Sequence, residues 1–392
     1  MFSRNDLFLN QRFKYNHLAG IYIHIPFCKQ ACFYCDFHFS VNQSYKGEMV
    51  DAILRELEIQ KDYLGNEVIK TIYFGGGTPS LLSRHELETI QDQIFKFHQV
   101  SDVAEITLEA NPDDLPYRKL EELRNSGVNR LSIGIQTFDS NTLKMLNRAH
   151  SAAEARECLS LAREVGFKNI SIDLIYGIPG RNDNLWIEDL QEAMHYRPEH
   201  ISTYSLTVEP NTVFGRRLRK NEFPEPDEEH SAGQFEIMTE QLKEAGYDHY
   251  EISNFCLPGH HSRHNSSYWQ QQNYLGTGPG AHSYDGATRQ FNISNNGKYM
   301  KALSKGVVPF EREVLNQKDK VNEYLLTTLR TQWGADLNRL REEFNIDLLA
   351  DKGDYIHGLV NSNLVMITNQ CLVLTNNGKL LADKISSDLF ID

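Results

Sequence analysis

The stretch "IYIHIPFCKQACFYC", residues 21–35, decides how the rest of the chain is read. It begins as an alternating β-branched run, the composition of a strand. It then releases Cys28, Cys32 and Cys35, spaced C-x3-C-x2-C. A strand that ends in clustered thiols presents them on the loop at its C-terminal end. Three thiols are one fewer than a tetrahedral zinc site takes, and His24 or His38 would have to complete such a set. A [4Fe–4S] cluster on three cysteines leaves one iron open and needs no further residue.

Working outward, the remaining cysteines, Cys158, Cys256 and Cys371, are scattered. They form no disulfide framework and suit a reducing, cytoplasmic setting. No apolar run reaches the ~18 residues of a membrane span, and residues 1–20 lack the apolar core of a secretory signal. A net charge of −13 argues against a broad nucleic-acid surface. The 392 residues allow one large domain and a smaller one.

Short β-branched runs recur at 21–27, 68–76, 104–112, 128–136, 168–177 and 200–208. Amphipathic stretches at 45–64, 83–98 and 183–197 separate some of them. Near-continuous apolar strands alternating with helices predict a parallel sheet buried on both faces. Six βα units fall short of the eight in a closed barrel. The fold class expected is therefore α/β, a partial (β/α)6 TIM-like barrel. The Pro- and acid-rich "KNEFPEPDEEH" (220–230) reads as an exposed connection. From about residue 320, a helical stretch and then a hairpin and helix predict a winged-helix-like module. The expected division is an N-terminal arm (1–19), the barrel (20–225), a barrel extension (226–319) and the C-terminal domain (320–392).

Chemistry-bearing residues gather at the predicted strand ends. "FGGGTPS" (74–80) lacks the Gly-Lys-Ser/Thr of a P-loop, and Ser80 stands where a dinucleotide fingerprint has its last glycine or alanine. Adjacent glycines there let backbone approach a ligand closely. Glu109 in "TLEANP", Gln136 in "GIQTF", Arg148 in "LNRAH" and Asp173 in "SIDLIYG" follow at later strands. An unpaired carboxylate in an apolar run is costly, so a structural ion pair explains either one; a shared cofactor explains the set. "HNSSYW" (264–269) falls in a polar loop with several histidines. "YLGTGPGAHSY" (274–284) has the letters of a nucleotide fingerprint without the surrounding βαβ unit, and reads as a loop closing over the barrel mouth.

Over about residues 20–385 these motifs resemble the radical S-adenosylmethionine (SAM) superfamily, in particular the relatives of oxygen-independent coproporphyrinogen III oxidase. The resemblance rests on "YIHIPFC", "CDF", "GGGTPS", "LEANP", "RLSIGIQTF", "IDLIYGIPG" and the C-terminal module. It implies the radical SAM barrel, with a [4Fe–4S] cluster on Cys28, Cys32 and Cys35 whose open iron chelates SAM for reductive cleavage. It further implies that Tyr22, Gly76, Gly77, Thr78, Glu109, Gln136, Arg148, Asp173 and Thr207 contact SAM. An electron donor, such as a flavodoxin-like protein, is implied as well.

Two departures separate the chain from the oxidases. These carry a further cysteine where Phe37 stands, and a longer segment before the barrel. "HNSSYW" instead resembles the H-N-x-x-Y-W signature of the heme chaperone branch. That branch implies a protein that binds heme and transfers it to an acceptor hemoprotein, using the cluster and SAM. His264 is then the expected axial ligand, with Tyr268 and Trp269 against the porphyrin. The competing reading is the oxidase itself, decarboxylating coproporphyrinogen III.

Overall fold

The structure, a computed structural model, describes residues 18–391. The arm expected over residues 1–19 lies outside them up to residue 17. The β-branched runs become β1 (Leu18–Ile25), β2 (Val68–Gly76), β3 (Val100–Ala110), β4 (Arg130–Gln136), β5 (Ile170–Tyr176) and β6 (His200–Ser205). All six lie parallel, in chain order. Strand alternation sorts their side chains between two faces. On β1, Ile21, Ile23 and Ile25 are buried with Ile53 and Leu57 of the helix Lys46–Ile59, whereas Tyr22 and His24 face the concave side, beside Tyr73.

The amphipathic stretches form the helices Lys46–Ile59, Arg84–Phe97 and Asp183–Tyr196. Two further helices, Tyr117–Asn125 and Ala152–Val165, cover the same layer. Arg84–Phe97 and Ala152–Val165 each start on a capping box, Ser83 with Glu86 and Ser151 with Glu154. The side chain of each serine and its glutamate satisfy otherwise orphaned backbone amides.

The sheet extends beyond these six strands. A hairpin, β7 (Asp248–Glu251) and β8 (Asn254–Cys256), joins β6 antiparallel. At the other edge β9 (Tyr274–Thr277) runs parallel to β1, followed by antiparallel β10 (His282–Tyr284), β11 (Thr288–Asn292) and β12 (Phe310–Val314). The order is β12-β11-β10-β9-β1-β2-β3-β4-β5-β6-β8-β7, with β12 and β7 at its two ends and β7 bridged to Thr331 of the C-terminal segment. The barrel is thus partial and open. "YLGTGPGAHSY", expected to be a loop, supplies β9 and β10 instead; strands of three or four residues are too short to carry a readable period.

The C-terminal segment packs helices Gln317–Leu329, Leu337–Phe344, Leu348–Asn361 and Ala382–Asp388 on a small sheet. Its strands are β13 (Ala335–Asp336), β14 (Val365–Thr368) and β15 (Cys371–Leu374), ordered β13-β15-β14. Val321, Leu325, Leu340, Ile356, Leu372 and Ile385 belong to a core of its own. The segment meets the barrel at the β7–β8 turn, where Arg330 pairs with buried Glu251 at 3.5 Å. Among the described residues, no helix is long and apolar enough to cross a membrane.

Candidate functional site

The cysteine loop leaves β1 and is closed at its base. Cys28 N donates to Ser40 O at 3.0 Å and Ser40 N to Pro26 O at 2.8 Å. Its tip is fastened to the loops after two other strands. Lys29 Nζ donates to Asp113 Oδ2 at 2.8 Å and pairs with Asp114. Gln30 Nε2 donates to Asn147 O at 2.9 Å, and Asn147 Nδ2 returns a bond to Ala31 O at 2.7 Å. Asn147 holds φ at 57°, a left-handed conformation that asparagine tolerates better than most residues. The three thiols are free and half-buried. Burial pushes the Cys28 thiol up to about 11, against the Thr78 hydroxyl bonded to it, and raises Cys35 as well. Arg148 opposes these rises without overcoming burial; the charge of a bound cluster would favour the thiolates.

Among the described residues, no three His, Cys, Asp or Glu side chains close on a single-ion site. Neither nearby histidine turns to the cysteines. His24 Nε2 bonds His38 O at 3.0 Å and its Nδ1 meets Tyr22 OH at 3.4 Å, while His38 Nε2 meets Asn296 Oδ1 at 2.7 Å. The donor set fits a three-thiolate cluster better than a zinc ion completed by histidine.

The glycine loop after β2 is sewn to the cysteine loop by backbone. Gly77 N donates to Ile25 O at 2.9 Å and Thr78 N to Phe27 O at 2.7 Å. A Cβ on Gly77 would lie 2.6–2.8 Å from backbone atoms of Phe27 and Ile25. Gly76 takes φ 103° and a Cβ there would strike the His24 ring. Asn111 then joins three loops. Its Nδ2 donates to Thr78 Oγ1 at 3.2 Å, and its Oδ1 accepts from Arg148 Nη2 at 2.6 Å. Arg148 also donates to Gly134 O at 2.8 Å, to Tyr34 OH at 3.3 Å and to Cys32 Sγ at 3.4 Å. Its Nε is buried without a partner, which leaves one strong donor for a ligand.

Acidic groups line the concave face. Glu109 accepts from Tyr73 OH at 2.8 Å and Gly76 N at 3.0 Å. Asp173 accepts from Ser132 Oγ at 3.4 Å. Burial raises Glu109 to about 7 and Asp173 to about 6. Gln136, at the end of β4, is buried with φ 66°, a conformation that marks functional positions. Thr207 lies on the exposed loop beyond β6. Tyr22, Gly76, Gly77, Thr78, Glu109, Gln136, Arg148 and Asp173 thus share the strand-end rim and concave face with the three cysteines.

Sequence reasoning did not single out Arg130 or Asn111. Arg130 opens β4 almost fully buried, with Nε and Nη1 unpartnered, and its charge opposes the upward shifts of Glu109 and Asp173. An arginine opening an apolar strand, "RLSIGIQ", is the signal that was available. Asn111 sits inside the quoted "LEANP" and draws its meaning only from its two partners.

"HNSSYW" lies on a short helix, Arg263–Trp269, rather than a loop. Ser262 caps it by accepting from Asn265 N, and the Glu105 carboxylate accepts from the amides of Arg263 and His264 at 3.2 and 3.1 Å. His264 is fully buried, stacked 4.9 Å from Tyr73. Its Nδ1 meets Thr71 Oγ1 at 2.8 Å and its Nε2 Tyr268 OH at 2.7 Å. Burial, aided by Arg130, lowers it to about 3. With both ring nitrogens taken, axial ligation by His264 requires one of these bonds to break. Trp269 lies under the Arg330 guanidinium at 5.7 Å. Tyr268 instead borders a cavity of about 500 Å³ between the cysteine loop, β9–β11 and the helix Gln317–Leu329.

Residues 22–193 match the Radical SAM superfamily, and residues 315–381 match the HemN C-terminal domain. A heme chaperone HemW of Bacillus subtilis is 35% identical over 94% of this chain and 98% of its own. The HemW of Lactococcus lactis is 34% identical over 95% and 97%, and that of Escherichia coli is 39% identical over 67% and 69%. The crystal structure of the E. coli coproporphyrinogen III oxidase HemN, a radical SAM enzyme, superposes with a TM-score of 0.83. That match covers 99% of this chain and 94% of the other at 21% identity, and speaks for the fold alone. The chain belongs to the HemW family of the radical SAM superfamily.

Proposed function

We propose that this protein is a cytoplasmic heme chaperone, which binds heme and transfers it to an acceptor hemoprotein. The observation that carries this reading is the 34–35% identity to proteins named heme chaperone HemW along nearly the whole of both chains. Cys28, Cys32 and Cys35 hold a [4Fe–4S] cluster. Tyr22, Gly76, Gly77, Thr78, Glu109, Gln136, Arg148, Asp173 and Thr207 bind SAM. When bound, cluster and SAM supply one-electron chemistry that no side chain offers; the electron comes from a donor of the flavodoxin-like kind. The free Nε of Arg148 supports a carboxylate-bearing ligand at this rim, and Glu109 and Asp173 suit ribose hydroxyls. His264 serves heme through Tyr268, whose hydroxyl it bonds and which borders the cavity. The working division is a barrel (20–225), an extension (226–319) and a C-terminal domain (320–392).

Phe37, at the position of the oxidases' extra cysteine, is 74% exposed and offers no ligand atom. Titrating anaerobically reconstituted protein with hemin, alongside a coproporphyrinogen III assay with SAM and reductant, separates the two readings. Saturable binding without decarboxylation is expected. Decarboxylation without tight hemin binding makes the protein the oxidase.

A further inference from the structure

The cavity beside the cysteine loop has one wall that the cluster and SAM residues do not use. On β10 and β11, His282 pairs with Phe291 and Tyr284 with Arg289, and Tyr284 also pairs with Tyr274 of β9. Cross-strand partners project to the same side of a sheet, and residues two apart share a face. His282, Tyr284, Tyr274, Phe291 and Arg289 therefore form one continuous face. The other side of these strands is core, where Ser283, Gln290 and Asn292 are buried in hydrogen bonds. Tyr274, Tyr284, His282 and Arg289 border the cavity, and Phe37 overhangs it from the cysteine loop. A space of about 500 Å³ falls within the range of pockets that enclose small ligands.

Three histidines border this cavity, His24, His38 and His282. Both nitrogens of His24 are engaged, and His38 Nε2 is held by Asn296. His282 is exposed, its ring lies 5.7 Å from Phe291, and among the described residues neither ring nitrogen has a hydrogen-bond partner. Partial desolvation, with Arg289 nearby, lowers its pKa and so favours the neutral ring, which keeps a lone pair. Arg289 is the one Lys or Arg among the residues bordering the cavity; it pairs with Glu323 of the C-terminal helix. An unpartnered imidazole, an aromatic wall with the Tyr274 and Tyr284 rings tilted by 36°, and one guanidinium that would exchange Glu323 for a ligand carboxylate match iron, macrocycle and propionate in turn.

We infer that this cavity is the heme site, with His282 as the axial ligand to iron and the Tyr274–Tyr284 face against the macrocycle. The assignment rests on the heme-binding reading above and moves iron ligation from His264 to His282. The test is hemin titration of the full chain as wild type, His282→Ala and His264→Ala, followed by Soret position and resonance Raman, with free imidazole added back. In His282→Ala the histidine-ligated spectrum is expected to disappear and affinity to fall roughly tenfold or more. Free imidazole is expected to restore the spectrum, and cluster absorption is expected to be unaffected, showing that the variant is folded. His264→Ala is expected to keep the histidine-ligated spectrum. A His282→Ala variant with wild-type spectrum and affinity overturns the assignment while leaving heme binding intact. Failure of the wild type to bind hemin overturns the chaperone reading itself.

Discussion

His264→Ala distinguishes a brace from a ligand, and its cost can be worked from the contacts. The substitution strands Thr71 Oγ1 and Tyr268 OH, which bond the two ring nitrogens at 2.8 and 2.7 Å. A buried polar group left unpaired costs about 1–3 kcal/mol. It also removes the ring stacked 4.9 Å from Tyr73, a contact of about 0.5–1.5 kcal/mol beyond its area. Some re-pairing of the rotatable hydroxyls lowers the total, and about 4 kcal/mol is a fair central value. With about 2 °C or more lost per kcal/mol in a domain this large, the melting temperature falls by roughly 8 °C. The assay is thermal unfolding by far-UV circular dichroism under nitrogen. A variant that melts like the wild type refutes the packing argument, and if it also lost hemin ligation, His264 would be the ligand after all.

The same histidine gives a pH prediction. Its folded pKa is held to about 3 by burial, against about 6.5 in an unfolded chain. Between these values the unfolded chain binds a proton that the folded one refuses, so this contribution is lost as pH falls from about 6.5. The stability gap between wild type and His264→Ala should narrow by about 2 kcal/mol from pH 7 to pH 5, read from urea midpoints; a constant gap rejects a buried neutral imidazole. Replacing Cys28, Cys32 and Cys35 by Ser should abolish an uptake of about four irons per chain on anaerobic reconstitution, and retained iron with its visible absorption would reject the cluster assignment. Gly77→Ala would press a Cβ to 2.6–2.8 Å from the backbone of Phe27 and Ile25. A loss of about 2 kcal/mol with reduced iron loading is expected, and a silent variant would mean that the two loops are not packed as described. Asn111→Ala unlinks Thr78 from Arg148, and SAM affinity measured by calorimetry should drop roughly tenfold; unchanged affinity removes Asn111 from the site.

The parts of the fold that could be read ahead were those with a long period or unusual chemistry. β1 to β6 announced themselves because near-continuous β-branched runs are rare outside buried strands. The helices Lys46–Ile59, Arg84–Phe97 and Asp183–Tyr196 did so through their 3.6-residue pattern. Cys28, Cys32, Cys35 and the glycine loop stood out because no core needs such residues at such spacing. β9 to β12 escaped because Gly276 and Gly278 read as turn, and because polar Gln290 and Asn292 point into a buried hydrogen-bond network with Glu56 and Gln60 rather than into solvent. The helix under "HNSSYW" escaped for a related reason. Its N-cap Ser262 is local, but the Glu105 carboxylate that holds the first amides lies 158 residues from Arg263 along the chain, and a partner supplied across the fold leaves no local mark.

The neighbours of β1 also set an order of assembly on the ribosome. The contacts that Asp113, Asn147 and Phe214 make with the cysteine loop lie within the first 214 residues, whereas His38 of that loop waits for Asn296. The other flank of β1 waits for β9, whose Tyr274 pairs with Gly20; at 5–20 residues per second it emerges about 250 residues, or roughly 10–50 s, later. The contacts from Asp113 to Phe214 are complete only once residue 214 has emerged, so the thiol loop stands without the wall that carries His282 for the last roughly 60 of those residues, about 3–12 s. On the proposed assignments, iron–sulfur loading can precede completion of the heme wall, and a chain that stalls between the two stages would carry a cluster beside an unpaired sheet edge.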